Sequence, residues 1–179
     1  MNDSNGSFPI AAVQTVSTPD VAENIASVRR LVAQAAEQGA KLVLLPEYWP
    51  LMGMRDADKV ALAEQPGEGP IQECMAGLAR EHGIWLLGGT LPLAAPEPDK
   101  GRNTVLVYGP DGECRAGYDK IHLFGFARNG ESYDEARTIV AGGEVSTFEA
   151  PFGRVGLSVC YDLRFPELYR ALGEGALRV

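Results

Sequence analysis

Cys160 stands where the apolar run 155–159 gives way to Tyr161-Asp162 and then to Pro166, a residue suited to the first turn of a helix. A strand-to-helix turn of this kind presents a side chain at the carboxyl edge of an α/β sheet, where open sheets place ligands. A helix N-terminus and exposed backbone N–H groups at that edge would favour a thiolate and a developing oxyanion. A lone cysteine on a strand also suits core packing, so Cys160 needs partners before it reads as a nucleophile. Glu47 follows Leu42-Val43-Leu44-Leu45-Pro46 and is expected at the same edge. A carboxylate beside a thiol takes its proton and hands that proton to a departing amine. The other reading of Glu47 is a solvated loop acid or a helix cap.

Lys120 lies between Tyr118 and Phe124 at the end of a hairpin strand. There it would stabilise a tetrahedral oxyanion as a fixed positive charge and lower the thiol pKa; taken alone, it also reads as a snorkelling surface lysine. Glu135, in the polar loop beyond, would hold the Lys120 ammonium in place. His122 is a rival partner for the thiol, since Cys–His pairs are a common mechanism. It ranks below Glu47 because its neighbours Ile121 and Leu123 read as packing.

The three cysteines, Cys74, Cys114 and Cys160, show no C-x-x-C spacing, and only His82 and His122 are available as imidazoles. Neither a disulfide framework nor a zinc site is expected, and a reducing cytoplasm fits this usage. Cys74 falls on the apolar face of a helix and Cys114 follows a hairpin turn, so both read as structural; His82 reads as a favourable charge at a helix C-terminus. Gly88-Gly89 and Gly67-Glu68-Gly69 lack the spacing of a phosphate loop, and no cofactor is implied. The net charge of -8, with no Lys/Arg cluster, makes nucleic acid and anionic membrane poor partners. No apolar run reaches membrane-spanning length, and residues 1–8 lack the pattern of a secretory signal.

The elements that must position these groups alternate between strand and helix. Ile10-Ala11-Ala12-Val13 reads as a buried strand. Asp20 and Glu23 form a capping pair for a helix through Val21, Ile25, Val28, Leu31, Val32 and Ala35, with Gly39 past its end. Leu42–Leu45 is a second buried strand, stopped by Pro46. A helix carries Ile71, Met75, Leu78 and Ala79 and ends at Gly83; Ile84–Leu87 is the third strand. Residues 103–108 and 113–118 flank Gly109-Pro110-Asp111-Gly112, a hairpin signal. A polar loop spans 125–137, and residues 146–149 and 155–159 form two strands turning at 151–153. Pro166 opens a last helix. The 179 residues fit one domain. A strand and helix so placed normally lead into a further parallel strand, so the chain is expected to stop inside a β-α-β unit.

Leu44-Leu45-Pro46-Glu47, the run Tyr118 to Phe124, and the run Gly156 to Glu167 occur together in the order and spacing of the nitrilase superfamily of carbon–nitrogen hydrolases. The resemblance covers Ile10 to Gly173, and the form of the Cys160 segment resembles the Nit branch, which includes ω-amidases and the amidase of deaminated glutathione. It implies an α/β fold, a four-layer α-β-β-α sandwich, that would be incomplete at its C-terminus because members continue past the helix after the cysteine. It implies roles for Glu47 as general base, Lys120 as stabiliser of the tetrahedral intermediate, and Cys160 as nucleophile. Glu135 would be the second glutamate, preferred over Glu131 for its Glu-Ala-Arg-Thr context. The Tyr161 N–H would join Lys120 in the oxyanion hole. The implied reaction cleaves a small linear amide through a thioester, without metal, releasing ammonia. Full-length members dimerise through helices near the nucleophile. The alternative is a family core that lacks a competent site.

Overall fold

Leu42–Leu44 (β2) lies parallel between Ile10–Ala12 (β1) and Trp85–Leu87 (β3) in the computed structural model, which describes residues 8–173. The sheet continues antiparallel into Gly101–Tyr108 (β5). Val107 pairs with both Leu87 and Ala116, and Thr104 with both Leu91 and Asp119. β3 and Leu91–Ala94 (β4) therefore share one side of β5, while Cys114–Asp119 (β6) takes the other. The Gly109–Gly112 hairpin forms as expected, with a bulge beside Tyr108.

Side-chain alternation gives this sheet two apolar faces. Val43, Leu86 and Leu106 pack under the helices Val21–Glu37 (α1) and Pro70–His82 (α3), which bury Val28, Val32, Ile71, Met75 and Leu78. Leu42, Leu87, Val105 and Val107 face the other way, onto Phe148, Leu157 and Val159. Phe148 belongs to a two-stranded ladder, Thr147–Ala150 (β9) with Gly153–Gly156 (β10). Each fully buried aliphatic side chain in these layers contributes roughly 1.5–3 kcal/mol. The last helix, Pro166–Gly173 (α4), buries Leu168 and Leu172, and a Cβ added to Gly156 would meet the Leu172 side chain at 2.9 Å. The layers run helix, sheet, sheet, helix, in the order that the family resemblance implies.

Helix ends follow their local chemistry. Asp20 caps α1 by accepting from the N–H groups of Ala22 and Glu23 at 2.8 and 3.1 Å. The expected return bond from Glu23 is relayed: Thr18 Oγ1 donates to Glu23 and accepts from the Asp20 N–H. Gly83 closes α3 in the left-handed conformation.

Several expectations are corrected. β1 is an edge strand rather than a buried one, with Ile10 64% exposed. β4 and a short helix, Asp56–Leu62 (α2), were not anticipated. β4 carries Pro92 and lies at the sheet's margin, where a missing N–H is tolerated. The loop 125–137 contains a hairpin, Gly125–Arg128 (β7) with Glu131–Asp134 (β8). It turns at Asn129-Gly130, both at positive φ, which is the dipeptide a tight hairpin favours. Only the first part of the 155–159 run is laddered; residues 157–159 continue outside the ladder into the cysteine turn.

Candidate active site

Three connections, following β2, β6 and β10, converge on one small cavity. Glu47 sits in the turn that follows β2 and Pro46. The Thr90 N–H donates to Pro46 O at 3.2 Å and the Tyr48 N–H donates to Thr90 Oγ1 at 2.8 Å. Trp49, buried, donates from Nε1 to Gly88 O at 2.7 Å. Gly89 permits this close approach: at φ +58, a Cβ there would lie 2.0 Å from Pro46 O. Tyr48 itself adopts φ +51, so the turn is held by these bonds against its local preference.

Lys120 leaves the end of β6 with its N–H donated to Asn103 O and its carbonyl accepting from Gly142 N–H, both at 2.9 Å. It is no snorkelling surface lysine, being 2% exposed. Its Nζ donates to Glu47 Oε1 at 3.1 Å and to Glu135 Oε2 at 2.9 Å. Glu135 opens a 3₁₀ turn, Glu135–Arg137, and also accepts from the Phe124 N–H at 2.9 Å. Glu131, the alternative second glutamate, lies exposed on β8. Burial alone would push the Lys120 ammonium down. Its hydrogen bond to Glu135 and the charges of Glu47 and Glu135 more than reverse this, so its pKa is raised and it stays charged.

Asn103 is a site residue the sequence reading missed. Fully buried on β5, it donates from Nδ2 to Glu47 Oε1 at 2.8 Å and to Glu135 Oε1 at 3.2 Å. The available signal was an amide inside an apolar strand, which must find partners when buried.

Cys160 begins the 3₁₀ turn Cys160–Arg164 at φ +50, a conformation that L-residues other than Asn and Asp rarely adopt. The Asp162 carboxylate, fully buried, braces this turn. It accepts from the Val159 N–H at 2.9 Å, Tyr118 OH at 2.7 Å and the His122 N–H at 3.0 Å, and it faces His122 Nδ1 at 2.7 Å. The cysteine turn is thereby tied to the segment carrying Lys120. Asp162→Ala would leave these donors unpaired in the interior, where each costs about 1–3 kcal/mol. Chemical denaturation is expected to show a loss of about 3 kcal/mol or more; a loss below about 1 kcal/mol would contradict this bracing role.

His122 is thus engaged elsewhere: its ring faces Asp162 and stacks on Phe165 at 3.6 Å. It does not line the cavity of about 160 Å³ that holds Glu47, Lys120, Glu135 and Cys160 together with Tyr48, Lys59, Phe124 and Tyr133. On its other side Cys160 borders a larger apolar depression with Tyr161, Leu163 and Arg164. Tyr161 sets its ring edgewise against Phe124 and Phe165, and its backbone N–H has no acceptor among the described residues. Of the other cysteines, Cys74 is buried in the core as expected, whereas Cys114 is exposed.

The resting thiol differs from expectation. Burial pushes the Cys160 pKa up and the Glu47 carboxylate pushes the same way, as charge and as hydrogen-bond partner; Lys120 opposes them and loses. The site therefore holds a protonated thiol beside an acceptor for its proton. Tyr48 and Tyr133 are also held above the ordinary phenol range, first by burial and then by nearby carboxylates.

Residues 9–179 match the carbon-nitrogen hydrolase family. The human omega-amidase NIT2 is 37% identical over 174 residues, covering 90% of this chain and 58% of its own length. The solved NitFhit protein of C. elegans superposes with a TM-score of 0.81 at 34% identity, over 89% of this chain and 39% of that one. An amidase mutant from Nesterenkonia sp. AN1, solved after Michael addition of acrylamide at its active site cysteine, gives a TM-score of 0.77 at 29% identity, over 92% of this chain and 62% of that one. The chain thus spans less than two thirds of each of these proteins. With the family matched over nearly its whole length, and the layered α/β fold and the three converging segments in place, this chain belongs to the carbon-nitrogen hydrolase family, within the Nit branch of the nitrilase superfamily.

Proposed function

We propose that this protein hydrolyses the C–N bond of a small linear amide through a thioester on Cys160. The observation that carries the proposal is a buried ammonium, Lys120, gripped by two carboxylates, both of which share a cavity with the thiol. Glu47 takes the Sγ proton as sulfur attacks the carbonyl carbon. Lys120 Nζ and the Tyr161 N–H stabilise the tetrahedral oxyanion. Glu47 returns the proton to the leaving nitrogen, ammonia departs, and a thioester remains. Water, giving its proton to Glu47, then attacks the thioester; sulfur leaves, regains a proton, and the carboxylic acid is released. Glu135 keeps the Lys120 ammonium aimed and charged. A reducing compartment suits three unpaired cysteines, and Leu163 and Tyr169, both exposed, would support pairing of two copies beside the nucleophile.

The purified protein, given a panel of short linear amides, is expected to release ammonia and carboxylic acid in equal amounts; no release from any of them would overturn the proposal. Glu47→Gln separates the base from the nucleophile. Turnover should fall by about 10² to 10⁴-fold with the proton carrier gone. Losing the Glu47 charge also removes one of the causes that raise the thiol pKa, so the thiolate fraction at neutral pH increases. Alkylation of Cys160 by iodoacetamide should therefore be no slower than in the parent. A parallel loss of alkylation and turnover would show instead that the variant has disrupted the cysteine turn.

A further inference from the structure

We propose that this protein carries a second small-molecule site, separate from the Cys160 cavity, for an uncharged and largely apolar molecule bearing a carbonyl-type hydrogen-bond acceptor. A cavity of about 400 Å³ lies between the first turns of α3, the strands β4 and β5 and the start of β6. That volume suits a small organic ligand. It shares no lining residue with the cavity of Glu47, Lys120 and Cys160. Leu93 and Leu106, both buried, and Ala76 give it an apolar lining. Tyr108 supplies the polar group. It is 5% exposed, its ring belongs to the core under α3, and its hydroxyl has no hydrogen-bond partner among the described residues. Tyr48 Oη is sealed away from any partner, whereas Tyr108 Oη is not among the sealed atoms and opens onto the cavity that Tyr108 lines. Burial holds this phenol above its ordinary range and the charges of Cys114 and Glu64 push the same way, so it stays protonated and donates. Water against one donor in an apolar cavity makes few hydrogen bonds, and a ligand oxygen displaces it readily.

The wall beside Tyr108 is built and already satisfied. Glu64, buried, accepts from the N–H groups of Ile71 and Gln72 at 2.7 and 3.1 Å and from Gln72 Nε2 at 3.0 Å. Gln72 Nε2 also donates to Gln65 O at 2.8 Å and to Glu68 O at 2.6 Å, while its Oε1 accepts from the Gly67 N–H at 2.8 Å. Glu64 is bridged to Leu93 as well, so the loop 64–69 is fixed against both α3 and β4. A wall held in this way needs no ordering when a ligand enters. Its charges select against ions. Glu64 behind the wall and Glu73 at the exposed rim repel an anion, and Glu64 is engaged by its three donors, so a cation finds no free buried partner. An uncharged molecule remains, with its oxygen toward Tyr108. Cys114, exposed, lines the same cavity and reports its occupancy.

The test follows alkylation of Cys114 by iodoacetamide, read by mass spectrometry of its peptide, as acetophenone is titrated in. Acetophenone is expected to slow the reaction to a plateau, since an occupied cavity covers the thiol. Benzoate, a similar shape carrying a charge, should leave the rate unchanged. In Tyr108→Phe, which keeps the ring, the acetophenone concentration for half-protection should rise by about threefold to tenfold, the range of one neutral hydrogen bond. Ala76→Leu, which fills the cavity from α3, should abolish protection. Absence of saturable protection by acetophenone would overturn the proposal, as would equal protection by benzoate; both are read on the unaltered protein and need no variant to fold. An unchanged midpoint in Tyr108→Phe, or protection that survives Ala76→Leu, would overturn it too. None of these outcomes depends on turnover at Cys160, so the hydrolase reading stands or falls separately.

Discussion

Cys160→Ala is expected to lower amide hydrolysis by about 10⁴-fold or more, because the acyl group then has no acceptor and Lys120 and Glu47 have nothing to act upon. The fold should survive the change. Cys160 is exposed and adds no core side chain, and the turn around it is held by Asp162 through Val159, Tyr118 and His122. Alanine keeps the strain of φ +50, since that strain comes from the Cβ. Cys160→Gly should remove it, and denaturation is expected to show a gain of about 1 kcal/mol with activity equally lost. A nucleophile kept in a strained turn, and a protein made more stable by its removal, is the pattern of a site shaped for chemistry rather than packing. Cys160→Ala retaining more than a few per cent of turnover would reject the nucleophile assignment.

Lys120→Met is expected to damage both stability and turnover. The lysine is buried between Glu47 and Glu135, and Asn103 bridges the same two carboxylates. Without the ammonium, two carboxylates of like charge share a poorly solvated cavity, and one must take up a proton or turn outward. Breaking a buried ion pair by removing one partner costs about 3–5 kcal/mol, which chemical denaturation would read directly. Turnover should fall by about 10²–10³-fold, the range for losing one oxyanion donor. Denaturation at pH 5 tests the cause: protonation of the stranded carboxylates should return part of the lost stability there relative to pH 7. A destabilisation below about 1 kcal/mol would mean that the Lys120 network is not the organising contact of the site.

How far the sequence could be read depends on how local each signal was. The strands at 42–44 and 85–87, the long helices and the 109–112 hairpin follow from apolar periodicity and turn chemistry, and all form. Glu47 and Cys160 each end an apolar run and Lys120 ends a hairpin strand, so their convergence followed from strand ends that the two packed sheets bring together. Glu135 required the family context, because nothing local distinguishes it from Glu131. β4 was hidden by Pro92, and the β7–β8 hairpin by the polarity of its residues, although Asn129-Gly130 marked it. Asn103 and Asp162 were invisible as site residues because their roles are long-range: Asn103 reaches across 56 positions to Glu47, and Asp162 across 44 to Tyr118. The thiol pKa went the other way from expectation for a similar reason. The helix-end and Lys120 effects could be guessed from sequence, whereas burial and the approach of Glu47 belong to the folded chain.

In the proposed mechanism Cys160 carries the acyl group during turnover. Rapid-quench mass spectrometry of the protein mixed with an amide substrate tests it most directly. The expected result is a transient mass increase equal to the acyl moiety, ammonia released ahead of the acid, and the adduct on the peptide containing Cys160, lost on treatment with hydroxylamine. Turnover with no acyl adduct at any time, or an adduct on Cys74 or Cys114, would contradict it.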